Sequence, residues 1–388
     1  MRAIVGMAIS LLKLRIGVAI AASALAGIAV ANGHGLAWWQ PIGLALAILG
    51  ASGAAGAFNH YYERDLDRLM QRTRERPFAS GAFKASPWWP VAFLVLLAIS
   101  LGLASLSAGN VAAAYVFFGA FTYGIVYTVW LKRRSTWNIV VGGLAGSFAV
   151  LAGAAAVDPS PQIVPTVLAV VLFLWTPPHF WSLAAAKGED YAKAGVPMLP
   201  VVAPARAWTL AILAHCVALF AISLVPLWFG GGLFYGLGAA VGGGYFLWKS
   251  IKLYIEPTKT HAMQNFLASL VQLALLITGA LLSSAAGIWS RSPVSRRGVV
   301  APPRGWCLRL RPCLARPHSR HRRCLIQVLQ SRGASRRLDG RSATIRSSIR
   351  RDRRCRSVTT VASRSSSAWS TPPAARCARR RPSISSTP

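Results

Sequence analysis

The stretch Asn59–Pro77, NHYYERDLDRLMQRTRERP, follows a long apolar run and sets Glu63, Asp65 and Asp67 among Arg64, Arg68, Arg72, Arg74 and Arg76, with Glu75 trailing. Read as a helix turning about 100° per residue, Asn59, Glu63 and Asp67 fall at i, i+4 and i+8. Each step then turns only about 40°, so the three oxygen-bearing side chains share one face. Asp65 points about 200° away from Glu63 on the same helix and reads as a partner for a neighbouring arginine. Amide and carboxylate oxygens on one face suit a hard divalent cation such as Mg2+, which fills its other positions with water and phosphate oxygens. Guanidinium forks match diphosphate oxygens, which makes Arg64, Arg72 and Arg76 candidate contacts. A plainer reading is a helix end whose acids pair with nearby arginines. The position at the end of a membrane-length apolar run favours a site, because ionisable groups there are expensive and rarely idle. His60 reads as a structural helix-end residue.

The chain of 388 residues is 54% hydrophobic, and its apolar runs approach bilayer length, which places it among polytopic all-α membrane proteins. The net charge of +33 sums two unlike parts. Of 43 basic and 10 acidic residues, 25 arginines and two aspartates lie in 291–388, leaving 18 and 8 for 1–290. The expected organisation is a transmembrane domain over 1–290 and an Arg/Ser/Pro-rich tail over 291–388. The tail reads either as a disordered extension or as the product of an out-of-frame GC-rich reading. It lacks aromatic interleaving, so a nucleic-acid role is set aside. Its cysteines match no zinc or disulfide spacing, and Cys216 in the body reads as a small hydrophobe. No cleavable signal peptide is expected.

Nine spans are predicted, near 14–32, 39–60, 88–107, 111–130, 138–157, 162–183, 207–227, 230–248 and 267–289. The Gly-rich eighth has the lowest helix propensity. Basic residues alternate by loop: Lys13 and Arg15 at the start, Arg64 to Lys84, Lys132 to Arg134, Lys187 to Arg206, and Lys249 to Lys259, whereas 33–38, 108–110, 158–161 and 228–230 hold no Lys or Arg. The positive-inside rule puts the N-terminus and the basic loops in the cytoplasm and, after nine spans, the C-terminus on the opposite side.

A second polar cluster, WTPPHFWSLAAAKGEDYAKAGVPMLP, follows on the same side. It carries Glu189 and Asp190, candidate metal ligands, and sets His179 at membrane depth behind Pro177 and Pro178, which are expected to kink or break the helix and free backbone carbonyls. His179 reads either as a buried, hydrogen-bonded histidine or as a member of the site. Between the two clusters, Tyr123, Tyr127, Lys132, Arg133 and Asn138 gather at the cytoplasmic end of the fourth and fifth spans. Lys132 and Arg133 are candidate diphosphate contacts; Arg134 reads as a topology determinant.

These residues carry a resemblance. Asn59–Asp67 with Arg72-Thr73 and Arg76-Pro77 is similar to the first motif of the UbiA-like intramembrane prenyltransferases, and YTVWLKRRSTWNIVVGGLAGS (127–147), WTPPHFWSLA (175–184) and DYAKAGVPMLPVV (190–202) resemble the branch that farnesylates heme. The resemblance covers roughly 10–290. It implies a Mg2+-dependent transfer of the farnesyl group of farnesyl diphosphate to a vinyl group of heme b, in the lipid bilayer of the cell inner membrane. Heme A synthase or terminal oxidase assembly would be the neighbouring partners, with Asn59, Glu63, Asp67 and His179 as catalytic candidates. His179 would orient heme or act as a base, and the first role is the preferred expectation. There are departures: Glu63 stands where the family commonly has Asp, His60 stands where relatives acting on quinone precursors often have a second Asp, and the second acidic motif is not reproduced cleanly around Glu189 and Asp190. Two alternatives are a prenyltransferase acting on an aromatic quinone precursor and, from another class, a transporter or channel. A transporter should place charges within its spans or show internal repeats; here the acids collect at one membrane face.

Overall fold

Backbone N–H and C=O groups in an apolar run have no water to bond, so each run has to satisfy them internally as a helix. A computed structural model describes residues 2–287 and Trp289, all within the first of two compact units, Met1–Leu308. The expectations placed on 291–388 and on the C-terminal side lie outside the described residues. The described elements are helical, with no strand among them. In order they are α1 (Arg2–Leu11), α2 (Leu14–Val30), α3 (Trp39–Tyr62), α4 (Arg64–Leu69), α5 (Trp88–Phe121) continued by a π-helical stretch (Thr122–Leu131), α6 (Asn138–Gly142), α7 (Leu144–Val157) and α8 (Ile163–Ala186). Then come α9 (Gly188–Lys193), α10 (Leu199–Val202), α11 (Ala205–Ser223) with a 3-10 extension (Val225–Phe229), α12 (Leu233–Leu237), a π turn (Gly238–Gly242), α13 (Gly243–Ile255) and α14 (Lys259–Ala285).

Among the described residues, six segments are long and apolar enough to cross a membrane as they stand. One of them, Trp88–Leu131, has 44 residues. At 1.5 Å per residue that is about 66 Å, twice a hydrocarbon core of about 30 Å. It is two rods, since Gly109 (φ 85°, ψ 167°) interrupts the helical backbone between them. With α2 and the segmented α12–α13 rod, this gives the nine rods expected. The last begins earlier than its apolar core, because Thr258 caps α14 by accepting the His261 backbone N–H at 3.2 Å and so supports a polar first turn. Pro177 and Pro178 do not break α8, which runs unbroken through both.

The rods form two packed groups. In the first, α2, α3, α5 and α7 enclose a core made largely of alanine. In the second, α8, α11, α13 and α14 pack around larger side chains, and contacts of α7 with α8 and of α2 with α14 join the groups. Small residues set the crossings. A Cβ on Gly27 would collide with the Val150 carbonyl, and one on Gly153 with the Ala24 carbonyl, so α2 and α7 touch backbone to backbone. The Gly-rich eighth rod repeats the device, with Gly238 against the Leu275 carbonyl and Gly279 against that of Phe234. Gly238 and Gly242 allow its close approach to α14.

The loops sort to two ends as the charge pattern requires. At one end Asn32 and Gln162 exchange hydrogen bonds of 2.7 and 2.8 Å. At the other end lie Lys13, the Asn59–Pro77 segment, Lys132, Glu189 and Lys259, joined by ion pairs and hydrogen bonds. Many large apolar side chains on the rods remain exposed, including Leu94, Ile99, Leu106 and Ile163, which is the surface a lipid-embedded bundle presents. The chain is a multi-pass membrane protein. Gly153→Ala is expected to destabilise it by about 1–3 kcal/mol through overpacking, read as a lower melting temperature in detergent. Gly146→Ala in the same helix, where an added Cβ meets nothing within 4 Å, is expected to leave the melting temperature unchanged or slightly raised.

Candidate active site

The island at Asn59–Pro77 is where the apolar helix has to end, and it ends inside the protein. α3 stops at Tyr62, Glu63 takes a non-helical backbone (φ −94°, ψ 8°), and α4 starts at Arg64. The one-turn spacing survives this break, because the Glu63 N–H donates to the Asn59 carbonyl at 3.0 Å and the Asp67 N–H to the Glu63 carbonyl at 2.8 Å. Asn59, Glu63 and Asp67 are all buried, at 2%, 0% and 1% exposure. Asp65 instead faces solvent and pairs with Arg68 at 3.6 Å.

Each of the three buried groups meets a basic side chain. Lys132 Nζ donates to Glu63 Oε2 at 2.5 Å, and Arg76 Nη1 donates to both Asp67 oxygens at 3.0 and 2.9 Å. Lys13 Nζ donates to Asn59 Oδ1 at 2.7 Å and to the Tyr123 hydroxyl at 2.6 Å. Three basic side chains thus face two carboxylates, and Lys13 has no carboxylate of its own. Burial first, then the nearby Arg76 and Lys132, push the Lys13 ammonium well below the usual lysine range. An anion entering here would relieve that strain.

The scaffold behind these pairs is specific. Asn59 Nδ2 donates to Thr128 Oγ1 at 3.1 Å, and Thr128 Oγ1 donates to the Tyr123 carbonyl five residues back at 2.8 Å, which fixes the amide with its oxygen toward Lys13. The widened π-helical turn makes that reach possible and delivers Tyr123, Thr128 and Lys132 to one side. Asn138 supports Lys132 from behind by donating to its carbonyl at 3.3 Å. Lys13 sits at a left-handed backbone position (φ 48°), and its side chain runs over Gly56 one turn before His60. His60, in the last turn of α3, is 2% exposed with neither ring nitrogen bonded.

The other candidate contacts stand around this cluster. Arg64 bonds the Tyr61 carbonyl at 2.9 Å and lies over its ring, and Arg133 lies over the Tyr62 ring at 5.7 Å. Arg72 is exposed, and its backbone N–H reaches Asp190 Oδ2 at 3.4 Å. Glu189 and Asp190, expected as metal ligands, here contact groups outside the Asn59, Glu63 and Asp67 cluster. Glu189 is 73% exposed and paired at 2.6 Å with Lys259, whose hydrogen bond and charge hold its carboxyl below the usual range. Asp190 is spent on the Gln71 and Arg72 backbone and so fixes the loop that carries Arg72. Among the described residues no three His, Cys, Asp or Glu side chains converge on one ion. The set that fits a divalent cation is therefore two carboxylates and an amide, and Glu63 Oε1, buried without a partner, is the oxygen such an ion would satisfy.

His179 lies elsewhere in the bundle, its ring between those of Trp175 and Phe266 and its Nδ1 2.7 Å from Ser269 Oγ. A cleft of about 220 Å3 at the opposite end, lined by Tyr115, Asp158, Ser160 and Gln162 among others, has no basic residue for a diphosphate. Sequence reading passed over Lys13, which looked like a topology charge, and Thr128. Neither carries a local signal, because each acquires its partner across the fold.

Comparison with known proteins agrees with this architecture. The UbiA prenyltransferase family matches residues 20–289. The chain is 55% identical over 275 residues to protoheme IX farnesyltransferase 2 of Paramagnetospirillum magneticum (70% of this chain, 95% of that protein) and 40% identical over 288 residues to the protoheme IX farnesyltransferase of Neorickettsia sennetsu (72% and 94%). Among solved structures, a digeranylgeranylglyceryl phosphate synthase superposes with TM-score 0.61 at 15% identity (73% of this chain, 99% of that one). The UbiA homolog of Aeropyrum pernix K1 superposes with 0.55 at 19% (70% and 98%), and an Archaeoglobus fulgidus UbiA homolog bound to GPP and Mg2+ with 0.50 at 12% (71% and 99%). An all-helical bundle whose basic loops close over a buried amide and two carboxylates, matched over most of its described length by this family and at more than half identity by one of its heme-farnesylating members, is a prenyltransferase belonging to the UbiA family.

Proposed function

We propose that this chain transfers the farnesyl group of farnesyl diphosphate to a vinyl group of heme b, forming heme O, and that residues 1–290 are the catalytic unit. Diphosphate chemistry is supported by the buried cluster of Asn59, Glu63 and Asp67 with its three basic side chains. Heme as acceptor is supported by the 55% identity to a protoheme IX farnesyltransferase. Asn59, Glu63 and Asp67 are the residues that would hold Mg2+, which when bound supplies positive charge at the departing diphosphate. Lys132, Arg76 and Lys13 are placed to exchange their present partners for diphosphate oxygens, with Arg72, Arg64 and Arg133 behind them. Donors already aimed at developing charge inside an apolar bundle need little reorganisation, and this is where such electrostatic help is largest. The rods hold the isoprenoid chain and keep water from the allylic cation until the vinyl carbon attacks. Water then adds to the product cation, leaving the hydroxyethylfarnesyl substituent. By the positive-inside rule this end of the bundle faces the cytoplasm, with the inner membrane as the setting.

Incubating the purified protein with heme b, farnesyl diphosphate and Mg2+ is expected to yield a pigment heavier by the farnesyl and water additions, detected by mass. Prenylated hydroxybenzoate with unchanged heme would instead support the quinone-precursor reading. Glu63→Gln and Asp67→Asn are each expected to lower the rate by about 100-fold or more, with the fold retained by circular dichroism. A chain ending at residue 290 is expected to keep the activity of the full chain, measured in the same assay.

A further inference from the structure

The last turns of α13 reach the charged end of the bundle, yet the hydrogen bonds around Asn59, Glu63 and Asp67 do not involve them. Lys249 Nζ stands 4.6 Å from the centre of the Trp248 ring and 5.8 Å from that of Tyr245, and Lys252 Nζ stands 4.2 Å from the same indole. Two ammonium groups gathered at one ring repel each other, and the ring quadrupole offsets that repulsion only in part. Lys249 is fixed from the neighbouring helix, its Nζ donating to Gln264 Oε1 of α14 at 3.0 Å. Among the described residues neither lysine is ion-paired. Glu256, four residues after Lys252, is turned to His261 Nδ1 at 3.7 Å, and Glu189 is taken by Lys259. The chain thus assembles two cations and supplies no anion for them.

The surroundings are those of the boundary between lipid tails and headgroups. Trp248 is 48% exposed and Tyr245 38%, and Val241 and Leu237 continue the exposed side toward the middle of the rod. In the other direction α13 ends at Ile255. At 1.5 Å per residue Lys252 lies about 5 Å and Trp248 about 10 Å from that end, which suits a headgroup layer about 5–8 Å deep over each side of the hydrocarbon core. Interfacial indoles sit at this level, and lysines reach outward from it. From the middle of the rod outward the surface runs aliphatic, aromatic, cationic. A phospholipid runs in the same order from acyl chain to phosphate. A free phosphate would use the two lysines alone, whereas an anionic lipid also covers the apolar side chains beside them.

We propose that Lys249, Lys252 and Trp248 form a binding site for the headgroup of an anionic phospholipid, its phosphate accepting from the two ammonium groups and its acyl chains lying along Tyr245, Val241 and Leu237. Charge-assisted hydrogen bonds to phosphate supply the missing counter-charge. Through Lys249 and Gln264 the bound lipid ties α13 to α14. The site stands apart from prenyl transfer and does not depend on heme being the acceptor.

The test is photolabelling of the full-length protein in detergent with a phosphatidylglycerol analogue that carries its photoreactive group near the top of one acyl chain. Digestion and mass spectrometry are expected to find label within 237–255, several-fold above that from the matching phosphatidylcholine analogue. The double variant Lys249→Gln, Lys252→Gln is expected to bring the label in this segment down to the phosphatidylcholine level, with the label around Leu94 and Ile99 and the melting temperature unchanged. The double variant Lys249→Arg, Lys252→Arg is expected to keep the wild-type label. Reading this segment alone keeps the arginines of 291–388 out of the comparison. Equal labelling by the two lipids, or undiminished labelling of the glutamine variant, would overturn the site. Loss of the label on adding millimolar inorganic phosphate would show that the lysines take the free ion, and would overturn the assignment to lipid.

Discussion

Glu63 and Asp67 are held out of water at the end of an apolar helix, and much of the rest of the structure answers that constraint. An ionised carboxylate removed from water costs several kcal/mol unless it is paired and hydrogen-bonded. The pairing groups come from separate parts of the chain: Lys132 follows the fourth rod, Arg76 lies in the loop after α4, and Lys13, which holds Asn59, stands at the start of α2. Satisfying the two acids and the amide beside them thereby draws three loops to one spot. The same arrangement fits the proposed catalysis, in which cations that neutralise buried carboxylates would receive the diphosphate charge.

Drawing the loops together demands that the rods beneath them approach closely. The first packed group does this with alanine and glycine, and at Gly27 and Gly153 helix backbones meet with no side chain between them. Lipid offers no hydrophobic drive for helices to associate, so close packing and a few interhelical hydrogen bonds have to supply the association. The second group uses larger side chains and a buried polar chain, Cys216–Ser250–Asn265–Ser182, running from α11 through α13 and α14 to α8. The two groups thus carry different duties. The first holds the charged cluster, and the second holds His179 against Ser269.

Several features are legible in the amino-acid chain itself. Apolar runs of bilayer length dictate helices, the alternation of basic loops dictates their two ends, and the i, i+4, i+8 spacing of Asn59, Glu63 and Asp67 puts them on one face. These follow from local geometry and from the cost of burying unpaired backbone or charge, which act on any chain with this pattern. The helix break at Glu63 does not spoil the spacing, because the hydrogen bonds to Asn59 and from Asp67 carry it across. Asp65 also falls where its angle places it, outward with Arg68.

What only the tertiary structure decided is which charge meets which. Lys13 looked like one more topology residue until a left-handed turn sent it over Gly56 to Asn59 and Tyr123. Glu189 and Asp190 read as a second ligand pair, and only the fold shows their contacts with Lys259 and the Gln71–Arg72 backbone. His60 reads as a structural helix-end residue, and only the fold shows that it is buried with both nitrogens bare. Periodicity reports the face a residue occupies on its own helix. Partnership depends on how far other helices approach, and here glycine crossings and a widened π turn set those distances.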